Sequence, residues 1–242
     1  KYINCCRIGG TLYGLPNNRD FAAGWDSYAL RKDILNKYNI KASDIKNIKD
    51  LEKVFDLVLE KENGVVPLAC TGSLFGNFSL ADGINSLVSG GHENYGQEDE
   101  VVDIFETEEY KNRLKQVRKW YLKGYMGDNI LENTSTITEM IRNGEAFAET
   151  VKNKPGMKMQ ESLKCEREME IVQFGQPAIS YNSMAAFPWM ITKNSISPEL
   201  SMKLLNLFYS DEDIMNLLAY GIEGIDYVET EDGHIRAPEG KK

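Results

Sequence analysis

Apolar residues recur along this chain with two different periods. Leu51, Val54, Phe55, Val58 and Leu59 fall three and four apart, which places one apolar stripe on a helix ending near Asn63-Gly64. The short run Val65 to Ala69 reads as a buried strand. A second helix starts at Thr107, a good N-cap, carries Tyr110, Leu114, Val117 and Tyr121 at helical spacing and stops at Gly124; it is the longest the pattern predicts. A third covers Thr136 to Arg142 and ends at Asn143-Gly144, and Glu145 to Glu149 then has the look of a strand. Met169 to Phe174 and Ala185 to Thr192 are further strand candidates. Ser197-Pro198-Glu199 opens a helix with Leu200, Leu204, Leu207 and Phe208 on one face, and Ser210 to Asp213 caps another that closes at Gly221.

Strands interspersed with longer helices predict an α/β architecture. Two stretches lack regular periodicity: Cys70 to Tyr95, rich in Gly, Ser and Asn, and the charged run Val151 to Glu168 with its Pro155-Gly156 turn. Long irregular segments in a compact domain are usually functional or mobile.

With 242 residues, 42% hydrophobic and 27% charged, the chain has the composition of a globular protein with a real core. Its net charge of −9 repels a phosphate backbone unless basic residues cluster, and here Lys and Arg are spread along helices among Glu, which argues against nucleic acid as a partner. No window approaches the run of about eighteen apolar residues that a membrane span needs. The opening Lys1-Tyr2-Ile3-Asn4-Cys5-Cys6 reads like the middle of something, so a signal segment is expected upstream.

Signatures of chemistry are sparse. The four cysteines have no zinc spacing, vicinal Cys5-Cys6 suits a disulfide poorly, and all four read as buried or incidental thiols. His92 and His234 read as exposed loop residues, and no nucleophile elbow, phosphate-binding loop or zinc-protease motif occurs. No metal site and no cofactor are therefore expected. What remains is a set of aromatic and amide residues in or beside predicted loops, including Trp25, Phe75, Asn77, Phe78, Tyr95, Tyr181, Asn182 and Trp189. Sugar rings offer flat C–H faces to aromatic side chains and hydroxyls to planar donors and acceptors. Core packing competes for Phe75, Phe78 and Trp189. Trp25 is the stronger candidate because Asn17, Asn18, Arg19 and Asp20 lie just before it.

The segments GTLYGLP, RKDILNKYNI, NIKDLEKVFDLVLEKENGVVPLA, RNGEAFAE, the run from PWMITKN to GIDYV, and EDGHIRAPEG occur here in an order and spacing that resembles the extracellular solute-binding proteins, family 1, of ABC transporters. Within it they are most similar to the lipoprotein branch of Gram-positive bacteria. The resemblance implies a type II periplasmic-binding-protein-like α/β fold, two lobes joined by a hinge, and ligand held in the cleft between them. It implies a carbohydrate ligand, an ABC permease as partner, no catalysis, and an extracellular location through a lipid anchor carried by a preceding segment. The expected division is an incoming hinge segment at 1–9, a second lobe at 10–180, and a returning hinge strand with first-lobe helices at 181–242. An opening first-lobe segment and a closing segment after Gly240 are expected outside this chain. Expected ligand contacts are Asn18, Asp20 and Trp25 on the crossover, Ser73, Phe75 and Asn77 after the strand at Val65–Ala69, and Asn182 beside the returning hinge. Two other readings compete: a secreted carbohydrate-active enzyme with a carboxylate pair such as Asp20 and Glu149, and a peptide receptor of the same architecture.

Overall fold

The computed structural model describes residues 2–17, 22–70, 104–127, 130, 135–178, 184–231 and 233–240. Within them the chain forms two compact units, one of residues 18–186 and one that joins residues 1–17 to 187–242.

The larger unit is built on a five-stranded sheet. Its centre is β3 (Ala23–Arg31), flanked by β5 (Ala146–Asn153) and β6 (Met169–Gln173), with β4 (Val66–Leu68) beside β5 and the short β7 (Pro177–Ala178) pairing the start of β3. β4 and β5 run parallel, and β3 runs antiparallel to β5, β6 and β7. Helices cover both faces, as an α/β sheet requires. On one face α2 (Ile48–Lys61) and α3 (Glu108–Leu122) enclose Tyr28, Leu30, Phe55, Leu68, Trp120, Tyr125 and Val172. On the other, α4 (Ile137–Arg142) and α5 (Met157–Cys165) close over Ala29, Ala69, Ala146 and Met169. The short α1 (Lys32–Lys37) follows β3 directly.

The caps explain where these helices begin. Asn47, Thr107 and Thr136 each accept a hydrogen bond from a backbone N–H in the first turn, and Thr136 with Glu139 forms a full capping box. The α2 stripe is as expected except for Leu59, which is exposed. In α3 the expected stripe is displaced: Leu114 and Tyr121 are exposed, and the buried face is carried by Val117 and Trp120. Trp120 sits edge-on to Phe55, ring centres 5.6 Å apart, and its Nε1 donates to Glu52 at 2.8 Å.

Two expectations about elements fail. The charged run after Val151 is regular, because β5 continues to Asn153 and α5 follows; its buried positions Met157, Glu161 and Cys165 recur every four residues. Ala185 to Thr192 forms no strand: Trp189 makes a single bridge to Leu15, and Pro188 beside it has no N–H for a ladder.

In the smaller unit β1 (Arg7–Ile8) and β2 (Thr11–Leu12) form a hairpin, α6 (Pro198–Ser210) and α7 (Glu212–Tyr220) pack together, and β8 (Val228–Glu229) pairs with β9 (Ile235–Arg236). Pro198 takes the first helical position, but Ser197 makes no capping bond. Asp211 caps α7 through Ile214 N–H at 3.0 Å. Leu205 is the buried residue of α6, while Leu200, Leu204, Leu217 and Leu218 are more than half exposed. Among the described residues no helix is long and apolar enough to cross a membrane.

Candidate functional site

Strand direction gives the sheet of the larger unit two unlike ends. At one end the connections are short and filled by protein. β3 passes straight into α1, Lys32 N–H donates to Glu168 O at 2.9 Å, and buried Arg31 donates to Gly144 O and Ala146 O while forking onto Asp33. Burial works against ionisation of Asp33, and the Arg31 guanidinium overcomes it, holding the carboxyl below the usual range.

At the opposite end β4, β5 and β6 finish and β3 begins. Ala23 and Gly24 stand in register with Ala178, Pro177 and Asn153 there, and Ser27 with Gln173. In open α/β sheets ligands bind outside the carboxyl ends of the parallel strands. Asn153 Nδ2 donates to Gln173 Oε1 at 2.7 Å, and Gln173 Nε2 donates to Gly175 O at 2.7 Å. A Cβ on Gly24 would lie 2.1 Å from Gln173 Oε1, so glycine is what lets this amide pair fit.

Between Gly24 and Ser27 the register of β3 against β5 shifts, and Asp26 in that bulge has a left-handed backbone, φ +47°. Its carboxylate pairs with Arg113 of α3, both side chains being mostly buried. Arg113 reaches Asp26, and Trp120 stands edge-on to Tyr28 at 6.2 Å, so α3 runs in the direction of β3. The first turn of α3 therefore lies toward the end where β3 begins. Tyr110 of that turn meets Phe105 at 5.0 Å, ring edge to face, and Phe105 is half exposed.

Of the residues expected to contact ligand, Trp25 lies in β3 at this end, beside Gly24. Asn18, Asp20, Ser73, Phe75, Asn77 and Asn182 lie outside the described residues. The described residues that flank them, Ala22, Cys70 and Ala178, stand at the start of β3, just past the carboxyl end of β4 and at the end of β7. Sequence reasoning missed Asp26, Arg113, Asn153 and Gln173. The only available signal was Asp26 itself, an aspartate inside a strand, a residue type that tolerates the left-handed region.

A second polar group lies under α5, around Glu149, four residues before Asn153 in β5 and so on the same face of the sheet as the amide pair. Carboxylate oxygens of Glu149 and Glu161 and the Cys165 sulfur fall within 4.8 Å of one another, all buried. Lys164 supplies the positive charge, 2.8 Å from Glu161 and 3.4 Å from Glu149, and Cys165 Sγ donates to Glu149 at 3.4 Å. Burial raises the Glu149 pKa, Lys164 opposes that rise and Glu161 adds to it. Burial, with the Glu149 charge beside it, pushes the Cys165 thiol up to about 12. Glu149 is thus sealed between sheet and helix, with its side chain 3% exposed, a poor place for one of two acids flanking a scissile glycosidic bond.

No protein-family model matches the sequence. A protein of Streptococcus pneumoniae serotype 4 named carbohydrate ABC transporter substrate-binding protein is 25% identical over all of this chain and 49% of its own length. The polygalacturonan/rhamnogalacturonan-binding protein YtcQ of Bacillus subtilis is 24% identical over 93% of this chain and 47% of its own. In sequence this chain is similar to these two binding proteins, the first of them named for an ABC transporter. It spans about half the length of these curated relatives. The N-glycan transport solute-binding protein NgtS of S. pneumoniae matches 99% of this chain with 53% of its own, at TM-score 0.81 and 23% identity. Structures of NgtS with Man1GlcNAc and with Man5GlcNAc match 99% of this chain too, at TM-scores 0.71 and 0.72 and 22% and 23% identity, with 54% and 53% of their own. These likenesses show the fold: α/β, of the periplasmic-binding-protein kind, over about half of each neighbour.

Proposed function

We propose that this chain carries one wall of the ligand site of an extracellular ABC-importer solute-binding protein, and that the ligand is an oligosaccharide delivered intact to a membrane permease. The observation that carries the reading is topological: each stretch holding a candidate contact residue adjoins one strand of the five-stranded sheet, β3, β4 or β7, and those three start or finish at the same end of it. That end has the chemistry sugars need, with an amide pair at Asn153 and Gln173, a paired acid and base at Asp26 and Arg113, and rings at Tyr110 and Phe105. The names of the relatives support it further: each of those named above is called a binding protein, for carbohydrate, polygalacturonan/rhamnogalacturonan or N-glycan, and two are named for transport.

In this reading residues 18–186 are the second lobe and the smaller unit belongs to the first, where the exposed leucines of α6 and α7 are packing surface. Asn18, Asp20, Ser73, Phe75, Asn77 and Asn182 hydrogen-bond or stack on sugar, Trp25 is an anchor, and a lipid anchor holds the protein at the outer face of the membrane.

The test is titration of the full-length protein, by calorimetry and thermal shift, with mannose-rich N-glycans, kestose, galactobiose and oligogalacturonate, followed by recovery of the sugar. Binding with the sugar returned unchanged is the expected outcome. Cleaved product would replace the reading with the enzyme; a response to peptides alone would replace it with the peptide receptor.

A further inference from the structure

We infer that the Asp26–Arg113 ion pair is a positioning clamp: it locks the bulge of β3 to the second turn of α3, and so sets the first turn, at the proposed ligand-binding end of the sheet. The inference rests on the functional reading above and adds to it a pair of residues outside the expected contact set.

Four observations carry it. β3 advances from Gly24 to Ser27 while its partner β5 advances only from Asn153 to Val151, so the bulge holds one extra residue. Bulges of this kind bend a strand and redirect what it presents, and they concentrate beside functional sites. Asp26, in the bulge, has φ +47°, a conformation uncommon outside glycine that aspartate is among the few residues to adopt, and its neighbours hold it there. Those surroundings are visible: Phe174 N–H donates to Asp26 O at 3.1 Å, Gln173 fills the space beside Gly24, and Arg113 grips the carboxylate. Both partners are mostly buried, with side chains 16% and 18% exposed. An ion pair taken this far out of water gives little net stability over an apolar pair of the same shape, so its use here is better explained by the geometry it fixes. That geometry joins two elements: the same guanidinium that holds the bulge beside Trp25 also fixes α3 one turn below Tyr110.

The clamp is tested with Asp26→Gly, which keeps the left-handed backbone without strain and removes the carboxylate, and Arg113→Met, which keeps the apolar stem and removes the charge. Asp26→Asn is the conservative rescue. The probe is whichever glycan in the panel above binds the full-length wild type most tightly. Both single variants should stay folded, bind about tenfold more weakly per folded molecule, and exchange the amides of Gly24 to Ser27 faster; Asp26→Asn should recover part of the loss. The double variant should bind no more weakly than either single one, because the two act as a unit. Unchanged affinity in both folded single variants, or losses that add in the double variant, overturns the clamp and leaves the functional reading standing. A wild type that binds no glycan overturns that reading and the clamp with it.

Discussion

Three residues carry separable consequences. Trp25 is the third residue of β3, and on the proposed reading replacing it with Ala should weaken sugar binding by about 1–3 kcal/mol, as loss of an aromatic anchor does. Gly24 leaves room for Gln173, whose oxygen would lie 2.1 Å from an added Cβ. Gly24→Ala should therefore expel Gln173 from Asn153, seen as loss of protection and of chemical-shift coupling at those two amides. Glu149 behaves differently, because its pKa is raised by burial and by Glu161. A carboxyl that holds its proton more tightly folded than unfolded stabilises the fold fully below the ordinary value of 4.5, and that contribution is lost as pH rises through the folded value. Glu149→Gln should flatten this decline: between pH 4.5 and 8 its melting temperature should fall less than that of the wild type.

At the scale of elements, α2 and α3 are joined through one acid. Glu52 accepts from Gln116 at 2.8 Å, Lys119 at 2.6 and 2.7 Å and Trp120 at 2.8 Å. Burial opposes its charge, but the Lys119, Trp120 and Gln116 donors together hold its pKa below the usual value. Glu52→Ala should cost about 2–3 kcal/mol in urea unfolding, since it strips acceptors from charged and buried donors; Glu52→Gln, which keeps an acceptor, should cost less. Such helices were legible because Thr107, Thr136 and Asp211 are caps that act locally, whatever surrounds them. β3 was not legible. Its alternation is confined to Tyr28 and Leu30, and the Asp26 bulge breaks the period-two pattern before it. α5 was hidden for another reason: one of its three buried positions is Glu161, neutralised by Lys164, so a buried face reads as polar. Trp120 escaped because an apolar stripe read one position off selects Tyr121, and only the packing of Phe55 against the ring distinguishes them.

For the whole molecule, the chain order of motifs was enough to reach the solute-binding fold, because the order of strands and helices survives at 25% identity. The candidate site was legible only as a set of loops. What places the described start of β3 and the described ends of β4 and β7 together is the pairing of strands far apart in sequence, β3 between β5 and β6 with β4 parallel to β5, and no local pattern encodes that. Along β5 four residues separate Asn153, at the candidate end, from Glu149, which groups with Glu161 and Lys164 under α5. The most direct measurement is amide chemical-shift mapping of the protein titrated with its tightest-binding glycan. Ligand at the carboxyl ends of the strands should shift Gly24, Ser27, Cys70, Asn153 and Gln173 and leave Glu149, Glu161 and Lys164 still. Shifts centred on α5, or at the opposite end around Arg31 and Gly144, would contradict the account.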